Sequence, residues 1–86
     1  MDSEAQLDRL LEFFKALADQ SRLKIIGLLA QEPRSVDELA AMLELSGPTI
    51  SHHLQYLQHA GLVVARAQQY YSIYSLRIDT LHTMAK

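Results

Sequence analysis

The chain has 86 residues, of which 49% are apolar, no cysteine, and a formal net charge of −2. At this length it forms one domain with a marginal core, burying roughly 60–65% of its unfolded surface, and the absence of cysteine excludes disulfides and thiolate metal sites. No apolar run approaches the ~20 residues that span a bilayer, and acidic Asp2 and Glu4 stand where a secretion signal would be basic, so a soluble cytoplasmic protein with no membrane partner is expected.

The first helix is predicted from Leu7, Leu10, Leu11, Phe14, Leu17 and Ala18, which keep the i, i+3, i+4, i+7 spacing of one buried stripe. Phe13 sits at its edge. Asp19 is placed to cap a second helix running to about Ala30. There Leu23, Ile25, Ile26, Leu28 and Leu29 point almost all round the axis, as on a central helix packed on several sides. Gly27 costs that helix about 1 kcal/mol relative to Ala, which suggests close helix approach at that point. Glu32-Pro33 ends it.

Ser35-Val36-Asp37-Glu38 is a capping box, followed by a short inward stripe of Val36, Leu39, Ala40 and Leu43. Glu44-Leu45-Ser46 reads as a tight turn, with Ser46 capping the next helix. Pro48 is tolerated in that helix's first turn, where backbone N–H groups lack intrahelical partners. Ile50, Leu54, Leu57 and Ala60 face inward and Gly61 stops the helix. Leu62 to Ala67 and Tyr70 to Leu76 then read as a β-hairpin around Gln68-Gln69. Asp79 is placed to cap a last helix, Thr80 to Lys86, whose Leu81, Met84 and Ala85 suggest that it continues in a longer protein.

The predicted order is α-α-α-α-β-β-α, a mainly α fold with a small two-stranded β wing. The helix-turn-helix falls at about 35–60 and the wing at about 62–76, within one domain over 1–86. Charge is divided unevenly along it. Residues 1–44 hold nine acids and five bases, whereas residues 45–86 hold Asp79 alone against Arg66, Arg77 and Lys86. A segment with no carboxylate between Glu44 and Asp79 suits a surface that meets phosphates.

On a helical wheel Pro48, Ser51, His52, Gln55 and His59 lie opposite the inward stripe, with Thr49 to one side. On an arbitrary helix this would be a solvated face; on the second helix of a helix-turn-helix it is the face that enters a DNA groove. Gln55 has the geometry to read adenine bidentately, and Thr49, Ser51 and His52 reach bases or phosphates. Arg66 is read as a phosphate ligand from the wing, with Gln68, Gln69 and Tyr70 as further wing contacts. Tyr71 and Tyr74 are read as strand packing, and His53 as a partly buried packing residue.

Other chemistries fit poorly. His52 and His53 diverge by about 100°, and His52 and His59 are ~10.5 Å apart along the axis, so neither pair chelates one ion. Asp79 and His82 share a face, but Asp79 is better explained as a cap; no metal and no cofactor are expected. Ser51 beside His52 and His53 is not a nucleophile arrangement, because neighbours on a helix diverge and the segment supplies no orienting carboxylate. An enzyme is not expected.

Three stretches also resemble one family. FFKALADQSRLKIIGLL (Phe13–Leu29) is similar to the opening of the ArsR family of bacterial transcriptional regulators. SVDELAAMLELSGPTISHHLQYLQHAGLV (Ser35–Val63) resembles that family's helix-turn-helix, and Arg66 with YSIYSL (Tyr71–Leu76) its wing. The resemblance implies a winged helix-turn-helix homodimer that binds an inverted-repeat operator in double-stranded DNA and represses transcription, often until a ligand releases it.

The departures concern the signal. Metal-sensing members carry cysteines in the third helix, where this chain has Ser35-Val36-Asp37-Glu38, and the wing tip is Ala67-Gln68-Gln69-Tyr70 without the family's usual Gly and basic residues. The inducer is therefore unknown and not bound by thiolates. Surplus apolar surface at Leu7, Leu10, Phe13, Phe14, Leu81 and Met84 marks the expected dimer contact. The alternative reading is a winged-helix protein-interaction module that does not bind DNA.

Overall fold

Helix starts in this chain are written in its short polar side chains. In the computed structural model, which describes residues 3–77, Asp19 accepts the Arg22 N–H at 3.0 Å. Ser35 and Glu38 close both hydrogen bonds of a capping box, at 3.1 and 2.9 Å, and Ser46 accepts the Thr49 N–H at 3.2 Å. Each satisfies a donor that the first helical turn leaves unpaired. The resulting elements are α1 (Ser3–Leu17), α2 (Gln20–Gln31), β1 (Arg34–Ser35), α3 (Val36–Leu43), α4 (Gly47–His59), β2 (Val63–Ala67) and β3 (Ser72–Leu76).

The core is built where these elements meet. Ile25 and Leu29 of α2, Leu39 of α3, and Ile50, Leu54 and Leu57 of α4 are buried, together with Leu62 and Val63 at the entry to the hairpin. The inward stripe expected on α4 is found, with Ala60 half-buried at its end. Gly61 stops α4 at φ 79, in the left-handed region where a side chain is strained. The chain then reverses, and Leu62 N–H donates to Leu57 O at 2.9 Å.

Four expectations need correction. The wing is not a two-stranded ribbon. β1 pairs antiparallel with β3, Arg34 opposite Tyr74 and Ser35 opposite Ile73, giving a sheet in the order β1-β3-β2. Two residues after a proline carry no alternation, so only the presence of β3 makes them a strand.

The second correction concerns α1. The core takes Phe13 and Ala16, not the predicted stripe; Leu7, Leu10, Leu11 and Phe14 are exposed, Phe14 by 62%. Phe13, expected at a dimer contact, is only 8% exposed and belongs to the core, edge-on to Phe14 at 5.5 Å. A helix lying on one neighbour buries one side, and periodicity does not say which.

Third, α2 packs on α1, α3, α4 and β3 as a central helix should, yet Leu23 remains exposed. Fourth, Gly27 serves no close approach: a Cβ built there meets nothing within 4 Å. The expected last helix, with Asp79, Leu81, His82 and Met84, lies outside the described residues. No helix among the described residues is long and apolar enough to cross a membrane.

Candidate DNA-reading surface

α3 and α4 are joined by three residues. Glu44 takes the left-handed conformation at φ 56, and its N–H donates to Ala40 O, as does that of Leu45 at 3.1 Å. The Ala40 carbonyl thus accepts both N–H groups while the backbone turns sharply. Ser46 then caps α4 and also donates its hydroxyl proton to Thr49 Oγ1 at 2.8 Å, so the Thr49 hydroxyl is oriented and keeps its own proton for another acceptor. The start of α4 is held by hydrogen bonds local to the turn.

Behind α4, Ile50, Leu54 and Leu57 are fully buried. Their burial sets the rotation of the helix and presents Pro48, Thr49, His52, Gln55 and His59 to solvent, with Ser51 half-exposed toward the wing. Five of the predicted site residues, Pro48, Thr49, Ser51, His52 and Gln55, therefore share one helix, with His59 on the same face. His53 is half-buried, as expected, and its Nδ1 is buried with no hydrogen-bond partner.

The wing residues stand apart from this face. Arg66 is exposed on β2, opposite Ile73 of β3. The hairpin turn is closed by Gln68 N–H donating to Tyr71 O at 2.7 Å, which leaves Gln68, Gln69 and Tyr70 at the tip. Tyr70 is 86% exposed, and its hydroxyl accepts from Gln69 Nε2 at 3.3 Å. Between the tip and α4 runs an open groove of about 770 Å³, lined by Ser51, Tyr70, Tyr71 and Tyr74 and by Asp37 and Glu38 at the start of α3.

Sequence reasoning missed two features of this surface. Carboxylates absent from the segment after Glu44 return from elsewhere in the fold. Asp37 and Glu38 line the wing groove, and Glu12 of α1 lines a second groove of about 380 Å³ beside His52, Gln55, Tyr56 and His59. No linear charge count reveals them.

The other feature is Arg22, whose Nε donates to Ala16 O at 2.6 Å and Nη2 to Lys15 O at 3.1 Å, while its guanidinium carbon lies 4.1 Å from the centre of the Tyr56 ring. Its only sequence signal was the position three residues after the Asp19 cap. Among the described residues no group of three His, Cys, Asp or Glu comes together to hold a metal ion.

This arrangement has known counterparts. The profile of the bacterial regulatory protein arsR family matches residues 19–64, the span from the α2 cap through the helix-turn-helix into the hairpin. The chain belongs to the ArsR family.

Among its ArsR-family relatives, the chain is 36% identical over 80 residues to a transcriptional repressor SmtB homolog of Synechocystis, covering 90% of this chain and 61% of that one. It is also 36% identical to an uncharacterized HTH-type transcriptional regulator of Methanocaldococcus jannaschii, covering 92% and 90% of the two chains. It thus spans less than two thirds of one relative and nearly all of the other.

Among solved structures it resembles the homodimeric winged helix-turn-helix DNA-binding domain of a Mycobacterium bovis protein, at 36% identity and a TM-score of 0.88 over 96% of this chain and 78% of that one. HlyU of Vibrio cholerae superposes with a TM-score of 0.78 at 32% identity, over 98% and 97% of the two chains. The winged helix-turn-helix fold expected from the sequence is that of its ArsR-family neighbours.

Proposed function

We infer that this ArsR-family chain is a sequence-specific, DNA-binding transcriptional regulator that acts as a homodimeric repressor in the cytoplasm, as one winged-helix unit. The observation that carries this reading is α4. Its start is fixed by the Ser46 cap and its rotation by three buried residues, so a continuous row of short polar side chains faces outward. A helix so held out by a second helix fits the major groove of B-DNA.

Gln55 and Ser51 read base edges, Pro48 and Thr49 set the approach of the helix N-terminus, and His52 contacts bases or phosphate. Arg66, Gln68, Gln69 and Tyr70 hold the flanking backbone. Dimerisation uses the exposed stripe of Leu7, Leu10, Leu11 and Phe14 on α1, the contact that brings two α4 helices to an inverted repeat. The homodimeric Mycobacterium bovis neighbour supports that assembly. Repression rests on the Synechocystis repressor and on the Bacillus subtilis repressor SdpR, 34% identical to this chain, although the 37%-identical HlyU of Vibrio cholerae bears the name of an activator.

The test is enrichment from a random duplex pool, followed by gel shifts across a salt series. Gln55→Ala and Ser51→Ala are expected to weaken the enriched operator more than random DNA, each lost base contact costing about 1–3 kcal/mol of discrimination. Arg66→Ala is expected to weaken both alike and to lower the salt slope by about 1 per subunit.

The second reading, a protein-interaction module, is favoured by one observation: Glu12, Asp37 and Glu38 flank the candidate DNA surface. A wild-type chain that enriches no sequence and binds no duplex at low salt would establish it over ours.

A further inference from the structure

We propose that Arg22 and Tyr56 form the bridge that transmits the position of α1 to α4, and so set the half-site spacing the dimer accepts. The inference rests on the DNA-reading dimer argued above.

An open groove lined by Glu12 of α1 and by His52, Gln55, Tyr56 and His59 of α4 runs between the two helices, beside the core cluster that Phe13 and Ala16 share with Leu54 and Leu57. Arg22, on α2, spans the two. The carbonyls of Lys15 and Ala16 belong to the last turn of α1, where intrahelical donors run out; Lys15 O accepts the Ala18 N–H at 3.1 Å, and the Arg22 fork donates to both carbonyls, at 3.1 and 2.6 Å. The same guanidinium lies over the ring of Tyr56, next in sequence to Gln55 of the reading face, its carbon 4.1 Å from the ring centre.

Asp19 Oδ2 stands 3.9 Å from Nη1 and holds the remaining edge. The Arg22 side chain is only 12% exposed, and its bond to Ala16 O is part-buried. Lysine cannot replace it, because a point charge does not serve two carbonyls and a ring face together.

In a dimer joined through α1, the separation of the two α4 helices follows from how each α4 is held relative to its own α1. Operators of such dimers place half-sites about one helical turn apart, and one added base pair displaces a half-site by about 3.4 Å while rotating it around the axis. A firm bridge rejects that change. A loosened one lets α4 swing to meet it. Arg22 and Tyr56 are therefore positioning residues for spacing, not base readers.

The experiment measures affinity for duplexes carrying the half-site enriched by the wild-type chain, with the central spacer at its preferred length and one base pair longer or shorter. Arg22→Lys, Tyr56→Leu and Tyr56→Phe are compared with wild type, each first checked for folding by circular dichroism. The wild-type preference for the native spacer is expected to fall about five- to tenfold in Arg22→Lys and Tyr56→Leu, and to persist in Tyr56→Phe, which keeps the ring face.

Affinity that falls equally for every spacer overturns the proposal, since a bridge serving stability alone lowers only the folded fraction. An unchanged preference in the folded variants overturns it as well. Should Arg22→Lys fail to fold, Tyr56→Leu, altered on a half-buried residue, decides the matter. A wild-type chain that enriches no half-site removes the DNA reading itself, and the proposal with it; enrichment with unaltered variant preference sinks the bridge alone.

Discussion

Asp19 shows how much a single cap can carry. It is extended at φ −153 and accepts the Arg22 N–H at the start of α2. That backbone hydrogen bond holds its carboxyl below the ordinary value of 3.8, helped by the Arg22 guanidinium, by His53 and by the Ser21 N–H; desolvation pushes the other way. A lowered folded-state pKa adds stability that is fully present above the unfolded value and fades as pH falls through the folded one.

Asp19→Ala should thus lower stability in urea unfolding by about 1 kcal/mol near neutral pH, with the gap to wild type narrowing below about pH 4. Asp19→Asn should keep most of the cap and lose that acid dependence. At this scale the caps at Asp19, Ser35 and Ser46 were legible, because a cap is a local event read from a few neighbouring residues. The roles of Arg22 and of Arg34, whose Nε donates to Leu28 O at 3.1 Å at the end of α2, were not. A long side chain chooses its carbonyls from what the fold brings near.

Among the elements, α2 carries an avoidable cost. Gly27 sits inside the helix, exposed, with open space where a methyl group would go. Gly27→Ala should therefore raise stability by about 0.5–1 kcal/mol, read as a melting temperature several degrees higher. An unchanged or lowered melting temperature would mean that the position makes a contact in the dimer. The wing illustrates the opposite limit. β2 and β3 were foreseen from their Val, Ile and Tyr content, whereas β1 exists only because β3 offers an unpaired edge to Arg34 and Ser35. β3 is in consequence half-buried along its whole length, without the alternation that marks a strand with one free face.

For the molecule as a whole, the decisive surface is the one α1 leaves uncovered. Leu7 is 57% and Phe14 62% exposed on a helix whose opposite side already supplies Phe13 and Ala16 to the core. Replacing Leu10 and Phe14 together by Glu should leave the circular dichroism spectrum intact, since neither residue is in the core, and convert the dimer to monomer in sedimentation at micromolar concentration. Operator affinity should fall about a hundredfold or more, because two linked half-sites bind far more tightly than one. A double variant that still sediments as a dimer would move the interface elsewhere. Phe13 offers no such handle: its truncation would open the core.

By itself the sequence determined what depends on near neighbours and on periodicity. It specified three helix caps, the helix-turn-helix with its inward stripe and outward polar face, the stop at Gly61 and the hairpin that follows. Only the tertiary structure decided which side of α1 the core takes, that the wing has a third strand, and that Arg22 ties α1 to Tyr56. It also returned Glu12, Asp37 and Glu38 to the margins of a surface whose own segment has no acid. The reason is physical: caps and stripes are set by bonds within a turn or two, whereas partners across the core and charges across a groove are chosen by packing among residues far apart in the chain.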